Sequence, residues 1–385
     1  MVYLDNNATT PLDPAVFEKM DGFLREHFGN PSSLYPIGRQ AKEWINEARE
    51  HVARVLKANK AEVYFTGSGT ESDNHAILGV CDALPDKREF VTSTVEHPAV
   101  QETAVYLEKK GYAVKYVPVD GFGVLDLDAL RDAVTGQTIL VSVMHANNEI
   151  GTIQPVAEVC RIAHDHGALV HTDAVQTFGK IPLDVEALGV DLLSVSAHKV
   201  YGPKGVGALY VRKGTPIRPF IHGGHQERGL RAGTENTAGI IGFGEAARLL
   251  PERLAPDRER LSGLAERLRA GILARIPKVR LNGHPDDRVK TTLSFSFLGL
   301  ESEAVLLALA TKGIYVSTGS ACSEDSDEVS HVLTAIGLRP EFARSTVRMS
   351  LGRFNTEDDV GRVLEELPVI VEKLRKISAF DPEEF

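Results

Sequence analysis

Apolar positions follow two different spacings between residues 38 and 250. A first helix is predicted because apolar residues recur every three or four positions in GRQAKEWINEAREHVARVL, namely Ala41, Trp44, Ile45, Ala48, Val52 and Val55. A second helix is predicted to begin at Pro98 and to end before Gly111, because proline suits the first turn of a helix and glycine suits its end. Short apolar, β-branched runs separate such helices and predict strands at 113–119, 138–144, 168–174, 191–197 and 205–211.

This alternation of strands and helices indicates an α/β fold. Strands that are apolar along their whole length are typical of a parallel sheet covered by helices on both faces. After residue 250 a charged helical stretch leads into a second set of strands and helices, which closes with the helical pattern TEDDVGRVLEELPVIVEKLRKI. We therefore expect a second, smaller α/β unit.

The composition narrows the class of protein. The chain has 385 residues, enough for two domains, and its net charge of −10 argues against binding to nucleic acid or to an anionic membrane surface. The N-terminus shows no basic and apolar leader, and no apolar run approaches the roughly 18 residues of a membrane helix. We expect a soluble, cytoplasmic protein.

The chain has three cysteines, at positions 81, 160 and 322. They form no CxxC pair, which excludes a zinc ribbon, and an odd number does not favour a disulfide framework. Cys81 and Cys160 fall in apolar helical runs, where a free cysteine behaves as a small hydrophobic residue. Cys322 lies in the Gly/Ser-rich stretch VSTGSACSEDSD, where a thiolate would be accessible, and it alone has the surroundings of a nucleophile.

Polar residues follow two predicted strands at their carboxyl ends, where ligands bind in α/β sheets. One strand ends at Asp173, with Gln176 soon after, and the next is followed by Ser196, His198 and Lys199. A poorly solvated lysine forms Schiff bases readily, and an aspartate is the usual partner of the ring nitrogen of pyridoxal phosphate. On Lys199 and Asp173 alone, a solvated lysine and a helix-capping aspartate remain the better interpretation.

The segment FTGSGTESDN, residues 65–74, allows two interpretations. Glycines and a hydroxyl before a helix can cradle a phosphate with exposed N–H groups. The same residues also fit a plain turn in which Thr70 caps the helix. His97 is equally open, because its ring could stack on an aromatic cofactor or cap the helix at Pro98. No HExxH motif occurs, and we expect no metal site at the nearby histidines His164, His166 and His171.

Ten segments, in order from residue 3 to residue 356, together resemble the cysteine desulfurases: YLDNNATTP, FGNPSS, FTGSGTESDN, EHPAV, HANNEIGTIQP, TDAVQ, SAHKVYGPKGVGALY, GGHQERGLRAGTEN, STGSACS and RMSLGRFNT. These are pyridoxal 5'-phosphate enzymes of the class V aminotransferase-like group, with fold type I. The resemblance implies a large cofactor-binding domain at 13–255, with a mostly parallel sheet of the seven-stranded type. A small α/β domain at 256–385, completed by residues 1–12, would carry the cysteine loop. The short SGSAC-type loop is similar to that of the subgroup serving iron–sulfur cluster assembly and tRNA thiolation.

The resemblance implies a role for each residue around the cofactor. Lys199 would form the Schiff base and move the proton, Asp173 would pair with the ring nitrogen, and Gln176 would hydrogen-bond the ring hydroxyl. His97 would stack on the ring, and Thr234 would reach the phosphate of the other subunit in a homodimer. The remaining phosphate contacts would come from Gly69, Thr70, Ser196 and His198.

The resemblance also implies how the substrate is handled. The carboxylate of L-cysteine would be held by Asn148 and by a bidentate pair with Arg348. Cys322 would attack the substrate sulfur, which leaves a persulfide on the enzyme and releases L-alanine. The sulfur would pass to an acceptor such as an iron–sulfur scaffold or a tRNA-thiolation enzyme, and the acidic run EDSDEVS after Ser323 favours an acceptor with a basic surface.

Other functions remain open at this point. A selenocysteine lyase or a class V aminotransferase would share Lys199 and Asp173, although an aminotransferase has no need of Cys322. A non-catalytic scaffold would need the fold alone, and the retention of a complete catalytic set argues against it. Two departures from the family pattern lie outside that set: Tyr35, where histidine is common, and His225, where glycine is usual.

Overall fold

The computed structural model describes residues 1–318 and 329–378. Its helices are α1 (Pro14–Glu26), α2 (Pro36–Leu56), α3 (Gly69–Ala83), α4 (Pro98–Lys109), α5 (Leu127–Ala133), α6 (Val156–Asp165), α7 (Val185–Leu188), α8 (Thr237–Arg275), α9 (Ser302–Thr311), α10 (His331–Ala335), α11 (Pro340–Arg344) and α12 (Glu357–Ile377). Its strands are β1 (Val2–Tyr3), β2 (Val63–Thr66), β3 (Glu89–Ser93), β4 (Ala113–Val117), β5 (Thr138–Ser142), β6 (Leu169–Asp173), β7 (Leu192–Ser196), β8 (Gly207–Val211), β9 (Val279–Asn282), β10 (Thr292–Phe297), β11 (Ile314–Tyr315), β12 (Ser317–Thr318) and β13 (Thr346–Ser350). None of the helices in these described ranges is long and apolar enough to cross a membrane.

Seven strands form the main sheet, in the order β2-β8-β7-β6-β5-β3-β4. The strands from β7 to β4 are parallel, whereas β8 runs antiparallel to both β2 and β7. The reason is the short connection 197–206 between β7 and β8, since a parallel pair needs a crossover of about a dozen residues or more. Every residue of β5, β7 and β8 is buried, because helices cover both faces. The predicted α/β fold with a mostly parallel, seven-stranded sheet is confirmed.

The predicted elements of this sheet are confirmed with small differences at their ends. Helix α4 begins at Pro98 as predicted and ends at Lys109, and Gly111 follows it with a φ of +84°. Each of the strands β4 to β8 is two residues shorter than the apolar run that predicted it. The difference arises because buried apolar residues such as Met144 and Ala197 continue past the hydrogen-bonded ladder.

The C-terminal part of the chain has a sheet and a core of its own. Its four strands are antiparallel and lie in the order β12-β13-β10-β9, while β1 pairs with β11. One hydrophobic core draws on residues 16–250, and a second joins Val2 and Leu4 to residues 261–371. The predicted boundary at residues 255 and 256 falls inside α8, which contributes to both cores, and it stays a prediction.

A buried ion pair fastens the segment that leads to Thr234. Arg49 of α2 contacts both carboxylate oxygens of Glu227, at 2.5 and 2.7 Å. Glu227 also accepts a hydrogen bond from the backbone N–H of Phe65 in β2, at 2.9 Å. Loss of either partner would leave the other charge buried without compensation, which is strongly destabilising. The segment that leads from Glu227 to Thr234 is therefore anchored to β2, at the edge of the main sheet.

Candidate active site at the carboxyl edge of the main sheet

Lys199 lies just beyond the carboxyl end of β7, at the end of a 3-10 turn formed by Ala197–Lys199. Its Nζ atom donates hydrogen bonds to the carbonyl oxygen of Asn7, at 2.5 Å, and to that of Ala8, at 2.8 Å. Both acceptors belong to the amino-terminal segment, which enters from the second core. Lys199 therefore stands at the junction between the two sheets.

Asp173 is the last residue of β6, the strand next to β7, and is only 6% exposed. Its Oδ1 atom accepts a hydrogen bond from the N–H of Val175 at 2.8 Å. Burial raises the pKa of this carboxyl, while the nearby charges of His97 and Lys199 act in the opposite direction. A positively charged partner would therefore stabilise the ionised form of Asp173 at this buried position.

His97 is placed beside this pair by its position before α4. Its Nδ1 atom accepts a hydrogen bond from the N–H of Ala99 at 3.1 Å, so it caps the helix as one of the two interpretations expected. Burial lowers the pKa of His97; the charge of Asp173 opposes this shift, and the charge of Lys199 adds to it. A neutral ring with Nδ1 as the acceptor carries its proton on Nε2. Capping the helix and presenting a flat neutral ring to the site are compatible roles.

The start of α3 approaches the ends of β6 and β7 closely. Gly69 is the first residue of the helix, and a Cβ atom built on it would lie 2.9 Å from Cγ2 of Val175 and 3.5 Å from Cβ of Ser196. Only glycine fits there without displacement, so the start of α3 lies against Val175 and Ser196. The alternative with Thr70 as the helix cap is wrong, because Ser68 is the cap and its Oγ accepts from the N–H of Glu71 at 3.0 Å.

Arg348 of β13 meets the loop that carries Asn148, although the two are far apart in sequence. Its Nη1 atom donates to the carbonyl oxygen of Asn148 at 3.2 Å, and its Nη2 atom pairs with Asp5 at 2.8 Å. The side chain is buried, and its Nε atom has no hydrogen-bond partner in the described ranges. An unsatisfied buried N–H on a guanidinium suits a further anionic acceptor. The carboxylate of Asp5 already shows the kind of group this arginine binds.

The remaining predicted site residues differ in their surroundings. The Nδ1 atom of His198 contacts Oγ1 of Thr9 at 3.1 Å, and burial lowers the pKa of His198 to about 4. Thr70 and Thr234 are exposed. Cys322, the predicted nucleophile, lies outside the described residues.

The other two cysteines are packing residues, as predicted. Cys81 and Cys160 are 1% and 3% exposed in the cores of the main sheet. Burial raises the pKa of each thiol to about 12, so neither forms a thiolate at neutral pH.

Three residues of this site had no predicted role: Asp5, Asn7 and Lys180. Asn7 donates from Nδ2 to the carbonyl oxygen of Asn148 at 3.0 Å and accepts at Oδ1 from Lys180 at 2.8 Å. Asp5 and Asn7 lie within the segment YLDNNATTP that contributed to the family resemblance, although its residues had no assigned chemistry. Lys180 follows Gln176 by four positions, a spacing that brings side chains together in a tight turn and could have marked it.

Comparison with known proteins identifies the kind of chain to which this site belongs. The family profile described as Aminotransferase class-V matches residues 2–363. The chain belongs to this family. It is 50% identical over 385 residues to a protein of Methanosarcina thermophila described as cysteine desulfurase IscS, with all of this chain and 95% of that protein covered.

Solved structures agree with this family membership. One described as a NifS-like protein has a TM-score of 0.92 and 44% identity, covering 97% of this chain and 100% of its own. Another, described as SspA in complex with cysteine, has a TM-score of 0.82 and 36% identity, covering 92% of this chain and 100% of its own. The predictions of fold type I and of a pyridoxal-phosphate-dependent cysteine desulfurase are confirmed.

The residues around Lys199 fit pyridoxal phosphate. The buried carboxylate of Asp173 lies where a protonated ring nitrogen would offset its charge. Gly69 has no side chain to press on Val175, so the start of α3 lies close to Ser196 at the end of β7, where the helix N-terminus would suit a phosphate. Lys199 is near enough to both Asp173 and His97 for its charge to affect their pKa values.

Gly69→Ala is expected to weaken the binding of pyridoxal phosphate about tenfold, because the added methyl group would press against Val175 and displace the start of α3. The measurement is the dissociation constant of the cofactor, obtained by titrating it back into the protein after its removal. Adding Val175→Ala should recover most of the affinity, since it removes the clashing methyl. Gly136→Ala is the control, because its added carbon meets no atom within 4 Å. An unchanged dissociation constant for Gly69→Ala would contradict a phosphate site at the start of α3.

Proposed function

We propose that the chain converts L-cysteine to L-alanine at Lys199 and transfers the sulfur to Cys322 as a persulfide. The observation that carries the proposal is the meeting of Asp173, His97 and Lys199 at the carboxyl edge of the main sheet, with Arg348 on the other side of residues 5–8. The similarity to a structure described as containing cysteine supports this substrate. When bound, pyridoxal phosphate supplies an electron-accepting ring that stabilises negative charge at the substrate Cα.

The residues around the cofactor hold it and keep its charge in place. Asp173 keeps a proton on the ring nitrogen, and its burial supports this role because a buried carboxylate favours a cationic partner. Gln176 would donate to the ring oxygen, and His97 would stack on the face of the ring. Lys199 carries the proton to and from the substrate Cα. The phosphate would be held at the start of α3 and the end of β7 by Gly69, Thr70, Ser196 and His198.

Arg348 and Asn148 hold the substrate carboxylate. The unsatisfied Nε atom of Arg348 supports this role, because a substrate carboxylate would accept from Nε while Asp5 keeps its pair with Nη2. Glu149, the neighbour of Asn148, is buried, and burial raises its pKa to about 7. A neutral Glu149 would leave the positive charge of Arg348 available to the substrate.

The sulfur leaves the substrate by nucleophilic attack. The thiolate of Cys322 forms a bond to the substrate sulfur, and the bond between that sulfur and Cβ breaks. The electron pair of the broken bond stays with Cβ, which takes up a proton and becomes the methyl group of alanine. The sulfur is then bound to Cys322 as a persulfide.

A homodimer is part of the proposal, because Thr234 would reach the phosphate of the partner subunit. Thr234 is exposed. The region of α1 and α2 exposes the large apolar side chains of Leu24, Phe28, Leu34, Tyr35 and Ile37. Monomeric proteins seldom expose large apolar surfaces to solvent. Light scattering should give the mass of a dimer, and a monomer would contradict the role of Thr234.

The sulfur acceptor is proposed to be an iron–sulfur scaffold or a tRNA-thiolation enzyme with a basic docking surface. The acidic sequence EDSDEVS next to Cys322 supports a basic partner. Attraction between such surfaces weakens with salt, so sulfur transfer to the acceptor should be slower at high ionic strength. Equal transfer rates at low and high salt would count against a basic surface.

Cys322→Ala is expected to lower alanine formation from L-cysteine by about 100-fold or more, because the nucleophile is lost while the cofactor site is kept. The measurement is alanine and sulfide released in the presence of a reductant. Cys160→Ala is the matched control and should retain activity, since its thiol is buried. If Cys322→Ala matched the wild type, the nucleophile would be wrong, whereas a wild type that forms no alanine would contradict the desulfurase activity itself.

A further inference from the structure

A second lysine, Lys180, lies close to Lys199. It ends the turn 175–180 that follows β6. Its Nζ atom donates to Oε1 of Gln176 at 2.7 Å and to Oδ1 of Asn7 at 2.8 Å. Both acceptors belong to side-chain amides, so one lysine orients two groups of the site.

The contact with Lys180 decides which end of the Gln176 amide faces each neighbour. The oxygen end is taken by the lysine, and Nε2 donates to the carbonyl oxygen of Asn7 at 3.1 Å. Lys199 Nζ reaches the same carbonyl oxygen at 2.5 Å. A reversed amide would turn its NH₂ group toward the N–H groups of Lys180, where no acceptor lies. The Nε2 atom is therefore held beside Lys199.

Lys180 can keep both hydrogen bonds with or without its charge. Burial, together with the positive charges of Lys199 and Arg348, lowers the pKa of Lys180 to about 7. A neutral amine has two N–H groups, which is the number that Gln176 and Asn7 require. Charged Lys180 has no lone pair and therefore fixes the oxygen end of the Gln176 amide toward itself, whereas the neutral amine would also offer a lone pair to a reversed amide.

We propose that Lys180 is a positioning residue of the desulfurase, which holds the Gln176 amide so that Nε2 is the end that donates to the ring oxygen of the cofactor. The inference rests on the role proposed above for Gln176. Lys180 acts through Gln176 rather than on the substrate. A donor at the ring oxygen affects the electrons of the ring, so its loss should change the absorption of the bound cofactor as well as its affinity.

The test is a double-mutant cycle on the cofactor-loaded enzyme with Lys180→Met, Gln176→Ala and the combined variant. Each single change should raise the dissociation constant of pyridoxal phosphate about tenfold, because each removes the same directed hydrogen bond. If Lys180 acts through Gln176, the combined variant should also be about tenfold weaker, whereas independent effects would multiply to about 100-fold. The visible absorption maximum of the bound cofactor should shift in the same direction in both single variants.

Lys87→Met is the matched control. Its Nζ atom also donates two hydrogen bonds, to the carbonyl oxygens of Thr138 at 3.2 Å and Gly167 at 3.1 Å, but at the opposite edge of the main sheet. This variant should keep the wild-type dissociation constant and absorption maximum. Lys180→Gln, which keeps a shorter donor, is measured in parallel in case Lys180→Met does not fold, and it should weaken binding less than Gln176→Ala does.

Two results would overturn the inference in different ways. A combined effect of about 100-fold, or wild-type affinity and absorption in both Lys180 variants, would show that Lys180 does not act through Gln176. Wild-type affinity and absorption in Gln176→Ala would instead overturn the proposed role of Gln176, and the role of Lys180 with it.

Discussion

The active site depends on the hydrogen bonds that hold residues 5–8 between the two sheets. On the side of the second sheet, Asp5 pairs with Arg348 at 2.8 Å. On the side of the main sheet, the carbonyl oxygen of Asn7 accepts from Lys199 at 2.5 Å. Residues 5–8 thus contact both Arg348, which is proposed to bind the substrate carboxylate, and Lys199, which is proposed to form the Schiff base. Together with the direct contact between Arg348 and Asn148, this segment joins the two sides of the site.

Burial of the titratable groups prepares this site for a cofactor that brings its own charges. Removal from water raises the pKa of Asp173 and lowers those of His97 and Lys180. Each of these shifts disfavours the charged form of the group concerned. A bound ring with a protonated nitrogen would favour the ionised form of Asp173, because its positive charge would act in the same direction as that of Lys199.

Local sequence patterns predicted the sheet and the positions of the groups around Lys199, because strand ends can be found from apolar periodicity. Asp173 and His97 each adjoin the end of a predicted element, and the family resemblance gave them roles. Asn7 could not be assigned in the same way, since its contacts join it to residues more than a hundred positions away, such as Asn148. The helix cap at Ser68 was also missed, because neighbouring hydroxyl residues offer the same short-range pattern and only the folded backbone decides between them.

The most direct test measures the dissociation constant of pyridoxal phosphate and the KM for L-cysteine in the Asn7→Ala variant. The Asn7 side chain contacts Lys180 at 2.8 Å on the cofactor side and the carbonyl oxygen of Asn148 at 3.0 Å on the substrate side. If the segment joins the two halves of the site, this one change should raise both the dissociation constant of pyridoxal phosphate and the KM for L-cysteine. A rise in only one constant, or in neither, would contradict the claim that residues 5–8 hold the site together.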